Sequence, residues 1–328
     1  MFPEKVAQWF SLRGIPQDTL KRFNIWWNGR EIVIPIKDEK GKTLFNKYRR
    51  SPESTEGPKY RNETGSHVTI FNPNALDSKT VILCEGEADV LRLETLGYPA
   101  ISSTGGSQSF KKDWVHLLNN KELYICYDAD DAGIKGAIKT AWLLFNNIPV
   151  KLIAFPEYFS GKDITDYLQH HSKEEFDVLI KNAIELPQPK LDDTKSISKA
   201  LTECSELRKV LKSHELSTAL LEEHIRILNQ AKEQFKKSKV ITEKREEITS
   251  IKEVPISNFV QFDPSGFAKR CIWHSPAKDQ KTPSLHYYKK TNTVYCFACN
   301  TSGDVISVVR HLNNCSFVEA VEILKKYI

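Results

Sequence analysis

No stretch of the chain approaches the roughly 20 consecutive apolar residues that cross a bilayer. The opening MFPEKVAQWF also lacks the basic-then-apolar profile of a secretion signal. Both absences predict a cytoplasmic protein with no membrane partner. The phosphate-binding loop Gly-x4-Gly-Lys-Ser/Thr is missing too: GIKGAIKT and SGKDIT come nearest and fail it, which argues against a motor built on that loop. No internal repeat is present. Cysteine is sparse, seven in 328 residues, and without a secretory signal these thiols are expected to stay reduced and not to form a disulfide framework.

What is there is the material of a soluble globular protein: 40% apolar and 27% charged residues. At 328 residues the chain has room for two or three domains, each with its own core. A net charge of +5 permits a phosphate-rich partner without requiring one. Residues 1–78 mix a short helical start with GREIVIPI, whose apolar positions nearly alternate, a turn at Asp38–Gly41 and the basic strand TLFNKYRR. In residues 79–190 short apolar runs (VILC, PAISS, ELYICY, VKLIAF) alternate with helical segments, which predicts an α/β fold with a mostly parallel sheet. Residues 191–255 are rich in Lys, Glu, Ser and Leu. There Leu220, Ile227, Leu228, Ala231 and Phe235 mark one helix face, and the charged stretch Lys239–Glu253 has the composition of a linker. Residues 256–328 form a last, cysteine-bearing region.

Ligands of an open parallel sheet bind beyond the carboxyl ends of its strands. Every acidic residue of interest in the second region falls at such an end: Glu85 after VILC with Asp89 four residues on, Asp128 and Asp130 after ELYICY, and Asp163 with Asp166 after the fourth strand. Carboxylates converging there repel unless a hard cation neutralises them, which points to Mg²⁺ or Mn²⁺ and to phosphoryl or nucleotidyl transfer. Helix N-capping by Asp130 or Asp131 is the competing role.

Cys271-x2-His274 and Cys296-x2-Cys299 are two close ligand pairs separated by a loop, the spacing of a tetrahedral site. Three sulfurs and one imidazole select Zn²⁺ over magnesium or calcium. Cys315, in SFVEAVEIL, is a bystander, and Cys84 and Cys126 belong to strands of the core. Trp273, Tyr287, Tyr288, Tyr295 and Phe297 interleave with Lys278, Lys281, Lys289 and Lys290, a mixture suited to stacking unpaired bases and tracking phosphates. Some of these rings must instead pack around the zinc.

The segment CEGEADVLRLETLGYPAISSTGG, with YDADDAG and KDITDYL after it, resembles the TOPRIM domain of bacterial primases, topoisomerases and some nucleases. The resemblance implies that Glu85 is the catalytic acidic residue, that Asp128 and Asp130 bind Mg²⁺, and that Glu85, Asp89, Asp163 and Asp166 complete the set of acidic metal ligands. Asp163 and Asp166 stand one residue further apart than the usual pair. The flanks narrow the family. Residues 31–62, with Pro-Lys-Tyr at 58–60, resemble the subdomain that precedes TOPRIM in primases, and residues 271–324 resemble their zinc-binding domain. Lys47, Arg49, Arg50, Lys59 and Arg61 are then expected to bind nucleoside triphosphate or template, and Lys278 and Lys281 template.

The whole is identified as similar to the bacterial and phage-type DNA primases: a TOPRIM sheet behind a small α+β basic subdomain, with a zinc ribbon after a helical linker. In the usual bacterial primase the zinc module comes first; here it comes last. The implied activity is synthesis of short RNA primers on single-stranded DNA at a replication fork, with a separate replicative helicase as partner. A TOPRIM nuclease would use the same carboxylates for hydrolysis, and a nucleic-acid adaptor would use none of them. A receiver-like signalling domain also pairs Asp residues on a doubly wound sheet, but leaves the zinc ligands unexplained.

Overall fold

The computed structural model describes residues 2–145, 147–274 and 283–328. Lys278 and Lys281 lie outside the described residues. The chain divides into two compact units, Met1–Lys232 and Glu233–Ile328.

The first unit opens with α1 (Glu4–Leu12) and α2 (Gln17–Arg22), α1 burying Val6 and Phe10. An antiparallel sheet follows in the order β1 (Trp26–Trp27), β2 (Glu31–Lys37), β3 (Thr43–Arg50), β4 (Tyr60–Asn62). The turn between β2 and β3 forms where expected: Asp38 Oδ1 accepts from the N–H groups of Lys40 and Lys42, and Gly41 takes the positive φ of 78° that an unbranched residue tolerates. Along β3 the period of two puts Phe45, Lys47 and Arg49 on the buried face and Asn46, Tyr48 and Arg50 on the other.

The second sheet of this unit has the order β5 (Ile70–Phe71), β7 (Ala100–Ser103), β6 (Thr80–Cys84), β8 (Glu122–Cys126), β9 (Val150–Leu152). All its pairings are parallel except β5 with β7. Parallel strands need crossovers. They are supplied by α3 (Glu87–Thr95) after β6, a tight 3-10 segment (Lys112–Leu118) after β7, and α4 (Asp131–Leu144) after β8. The 3-10 segment ends at Asn119, whose ψ of 136° leaves the helical region, and Asn120 follows with a positive φ of 61°. Cys84 and Cys126 sit side by side in register and fully buried. Beyond β9 come α5 (Ile164–His170), α6 (Lys173–Lys181), α7 (Thr194–Ser213) and α8 (Ala219–Glu253). Leu228 is fully buried, and Leu220, Ile227 and Ala231 pack on the same core.

Residues 239–253 are not an open linker but the second half of α8. No Gly or Pro interrupts 219–253, Lys236 pairs with Glu233 one turn away at 3.0 Å, and Ile251 with Val254 is buried in the second unit's core. That unit carries an antiparallel sheet in the order β10 (Phe267–Ala268), β11 (Leu285–Tyr288), β12 (Thr293–Cys296), β13 (Thr301–Asp304), followed by α9 (Val305–Asn313) and α10 (Phe317–Leu324). Cys315 is not on a helix. The capping box of Ser316 and Glu319 starts α10 after it, and Cys315 lies half-buried in the preceding loop. Among the described residues no helix is long and apolar enough to cross a membrane.

Candidate active site and metal centre

β6 ends at Cys84, so the backbone hands Glu85 to the carboxyl edge of the sheet and turns at once into α3. Ser107 donates to Glu85, but Glu85 Oε2 is buried without a hydrogen-bond partner. Burial, and then the charge of Asp128, pushes the Glu85 carboxyl above its ordinary range. Asp128, two residues beyond β8, is raised for the same first reason, with the ammonium of Lys162 working against it. Asp130 is lowered, because the N–H groups of Gly133 and Ala132 at the start of α4 converge on its Oδ1. Asp130 is therefore both helix cap and a carboxylate with one oxygen to spare. Gly133 permits this closeness: a Cβ there would stand 2.2 Å from the carbonyl oxygen of Asp128.

Asp89 lies in the first turn of α3, buried, and accepts 2.7 Å from Thr165 Oγ1; burial and then Asp163 hold its carboxyl well above the usual range. Asp163 caps α5 by accepting from the N–H of Asp166 at 2.8 Å. Asp166 in turn accepts from the N–H of Lys162 at 2.9 Å, tying the loop together.

Glu85, Asp89, Asp128 and Asp163 line a cavity of about 510 Å³ together with Lys47, Lys59 and Lys162. Lys47 Nζ is buried and donates to Glu87 Oε1 at 2.6 Å and to the carbonyl of Thr104 at 2.9 Å. Lys59 is lowered by burial and by the neighbouring cations Arg49 and Lys162. Arg61 also reaches the wall, but it is paired with Glu31 and lies over the Tyr48 ring. Arg49 is buried over Trp9 at 3.8 Å. Arg50 points to the other face of β3 and donates to the carbonyl of Gly57. Asp130 and Asp166 stand outside the cavity wall.

Two residues of this site escaped the sequence analysis. Glu87 is hidden in EGEAD between two stronger acids, and Lys162 immediately precedes Asp163. Lys162 Nζ bridges Asp128 at 3.0 Å and Asp130 at 3.1 Å. The carboxylates do not close on a single point: among the described residues the one group of three or more ligand atoms mutually within 4.8 Å is the cysteine cluster. The donor set nonetheless fits a hard divalent cation, since it is all oxygen and includes the partnerless Glu85 Oε2.

The second unit brings Cys271, His274, Cys296 and Cys299 together. Cys271 Sγ is 4.0 Å from Cys299 Sγ, and Cys296 Sγ is 3.8 Å from His274 Nδ1. A tetrahedron of bonds near 2.3 Å has edges of about 3.8 Å, so these separations leave room for one zinc ion and little else. The strand period sorts the aromatic residues. Tyr287 faces inward and stacks on Phe262, and Trp273 packs against the core. His286, Tyr288, Tyr295, Phe297 and Phe267 share the outer face, with Phe297 56% exposed and its ring 5.0 Å from that of Tyr295.

The chain carries a parallel sheet with carboxylates at its carboxyl edge and, in its second unit, a four-ligand cysteine–histidine module; residues 82–168 match the Toprim-like family, and residues 237–328 match the CHC2 zinc finger. Over about half of its length the chain is similar to bacterial DNA primases. It is 33% identical to the DNA primase of Aquifex aeolicus over 171 residues, covering 48% of this chain and 33% of that one. To the DNA primase of Clostridium acetobutylicum it is 28% identical over 198 residues, covering 54% and 32%. The chain thus spans about a third of the length of the curated relatives it matches. The solved zinc-binding and RNA polymerase domains of the Aquifex aeolicus primase align with a TM-score of 0.49 at 22% identity, over 67% of this chain and 69% of that one.

Proposed function

We propose that the chain is a template-directed polymerase of short RNA primers on single-stranded DNA. The observation that carries this reading is one cavity lined by Glu85, Asp89, Asp128 and Asp163 together with Lys47 and Lys59. A nucleoside triphosphate needs both halves: cations for its phosphates, and carboxylates for the cation that accompanies it.

In the reaction the 3′ oxygen of one nucleotide bonds to the α-phosphorus of the next, the bond to pyrophosphate breaks, and the hydroxyl proton leaves. Magnesium or manganese, held by Asp128, Asp130 and Glu85, supplies positive charge against the phosphates when bound. Glu85, with an unpaired oxygen and a raised affinity for protons, stands ready to draw the hydroxyl proton. Asp89, Asp163 and Asp166 brace the acidic loops. Lys59 and Lys47 orient the triphosphate, while Arg49, buried, Arg61, paired with Glu31, and Arg50, aimed to the other face, shape the basic sheet in this reading. The zinc module, loaded with one structural ion, offers the outer aromatic face of β10–β12 to template bases, with Lys289 and Lys290 near its edge. A separate replicative helicase would deliver the template at the fork.

The test is primer synthesis on mixed-sequence single-stranded DNA with labelled ribonucleotides and Mg²⁺ or Mn²⁺, comparing the intact chain with Asp128→Asn. Short template-dependent products that vanish in the variant are expected. Cleavage of the DNA without triphosphates would replace this reading with a nuclease, and template binding indifferent to metal, with no product, would replace it with an adaptor.

A further inference from the structure

Asp130 has one oxygen committed to the first N–H groups of α4, so Oδ2 alone can take a cation. Lys162 already has it: the ammonium lies 3.1 Å from Asp130 Oδ2 and 3.0 Å from Asp128 Oδ2. An ion held by the same two oxygens at the roughly 2.1 Å of a magnesium bond would occupy the space between them, and two positive charges cannot share it. One of them must leave.

The main chain of Lys162 is pinned while its side chain is not. Its carbonyl accepts from the N–H of Ala129 at 2.7 Å and its own N–H donates to Asp166 Oδ2 at 2.9 Å, which ties the loop to the one carrying Asp128. The side chain is 55% exposed and reaches Asp128 and Asp130 on four methylenes. Released from them, it can swing into the cavity that it lines. Lys162 lines the same cavity as Lys47 and Lys59, where the phosphates of a triphosphate would lie, and of the cations there it is the one whose partners are the metal-site carboxylates themselves.

We propose that Lys162 is the resident counter-ion of the carboxylate site, displaced by the divalent ion and thereby freed to hold the phosphates of the incoming triphosphate. The inference rests on the metal-dependent reading given above. It makes metal and triphosphate binding mutually reinforcing, because each takes one partner of the same ion pair. It also makes the metal alone bind weakly, since it must compete with a tethered ammonium.

Electron paramagnetic resonance of Mn²⁺ bound to the full, zinc-loaded chain without nucleotide tests it, with wild type, Lys162→Ala, Lys162→Arg and Asp128→Asn side by side. Lys162→Ala should bind Mn²⁺ about tenfold more tightly, the equivalent of one removed competitor. Lys162→Arg should stay close to wild type because the charge remains, and Asp128→Asn should lose the site. With Mn²⁺ saturating, guanosine triphosphate should bind about fivefold more weakly to Lys162→Ala, measured by calorimetry. Equal or weaker Mn²⁺ binding by Lys162→Ala, in a series where wild type binds and Asp128→Asn does not, overturns the inference and leaves the metal reading standing. Absence of Mn²⁺ binding in every protein overturns both.

Discussion

Lys47 and Glu87 meet at 2.6 Å with side-chain exposures of 9% and 2%, so the pair has been taken out of water nearly whole. Breaking such a pair leaves an uncompensated buried charge. Glu87→Ala should therefore cost about 3 to 5 kcal/mol in denaturant unfolding, whereas Glu87→Gln, which still accepts from Lys47, should cost less. If Glu87 only fills space, the two variants will unfold alike. Asp89 behaves in the opposite sense. Its folded carboxyl holds a proton to higher pH than the unfolded one, so ionisation opposes folding above the unfolded value near 3.8, and stability returns as pH falls. Asp89→Asn in EDTA at pH 7.5 should accordingly melt above wild type, and a lower melting point would show that the carboxylate is instead needed by the fold. At this scale the acids were legible from their places after strands, whereas the standing of each base was not. TLFNKYRR says that five polar or basic groups are present, but only the pairing of β3 with β2 and β4 turns Lys47 into the cavity and Arg50 away from it.

Helix α8 is the element whose role changed most between sequence and structure. Its charged second half has the composition of a linker, yet uninterrupted helix formers and the burial of Ile251 keep it helical through Glu253. Its first half holds His224, fully buried, with Nε2 donating to the carbonyl of Pro187 at 3.0 Å, its ring 5.4 Å from Trp142, and Nδ1 without a partner. Burial lowers its affinity for protons below that of an ordinary histidine near 6.5. Below that pH the unfolded chain takes up a proton that the folded chain refuses, so this contribution to stability is lost on acidification. Between pH 7.5 and 5.5 the melting temperature of wild type should fall by about 3 °C relative to that of His224→Phe. Parallel curves for the two proteins would show that His224 does not titrate in this range. The β strands were the most legible elements, because short apolar runs bounded by turn residues leave few alternatives. The 3-10 segment after Gly106 was the least, being too short for a period to show.

For the molecule as a whole, the two compact units make separate demands. The second has an apolar core around Val294, Val305 and Val309 and brings four metal ligands together at its edge, so zinc binding should add to its stability. Stripping zinc with a strong chelator, or changing Cys296 to Ala, should remove one calorimetric transition of the full chain while the other, that of residues 1–232, stays in place. A single transition that shifts as a whole would contradict this. The order of modules along the chain, the metal-ligand spacing of Cys271, His274, Cys296 and Cys299, and the alternation of strand and helix around the acidic residues were determined by the sequence alone, because each depends on neighbours a few residues apart. Only the tertiary structure decided which aromatic rings face out, which cations are neutralised by Glu87 and Glu31, and that Lys162 stands between Asp128 and Asp130. Those outcomes depend on charges and surfaces brought together from distant parts of the chain, where burial and Coulomb attraction, not local spacing, select the partners.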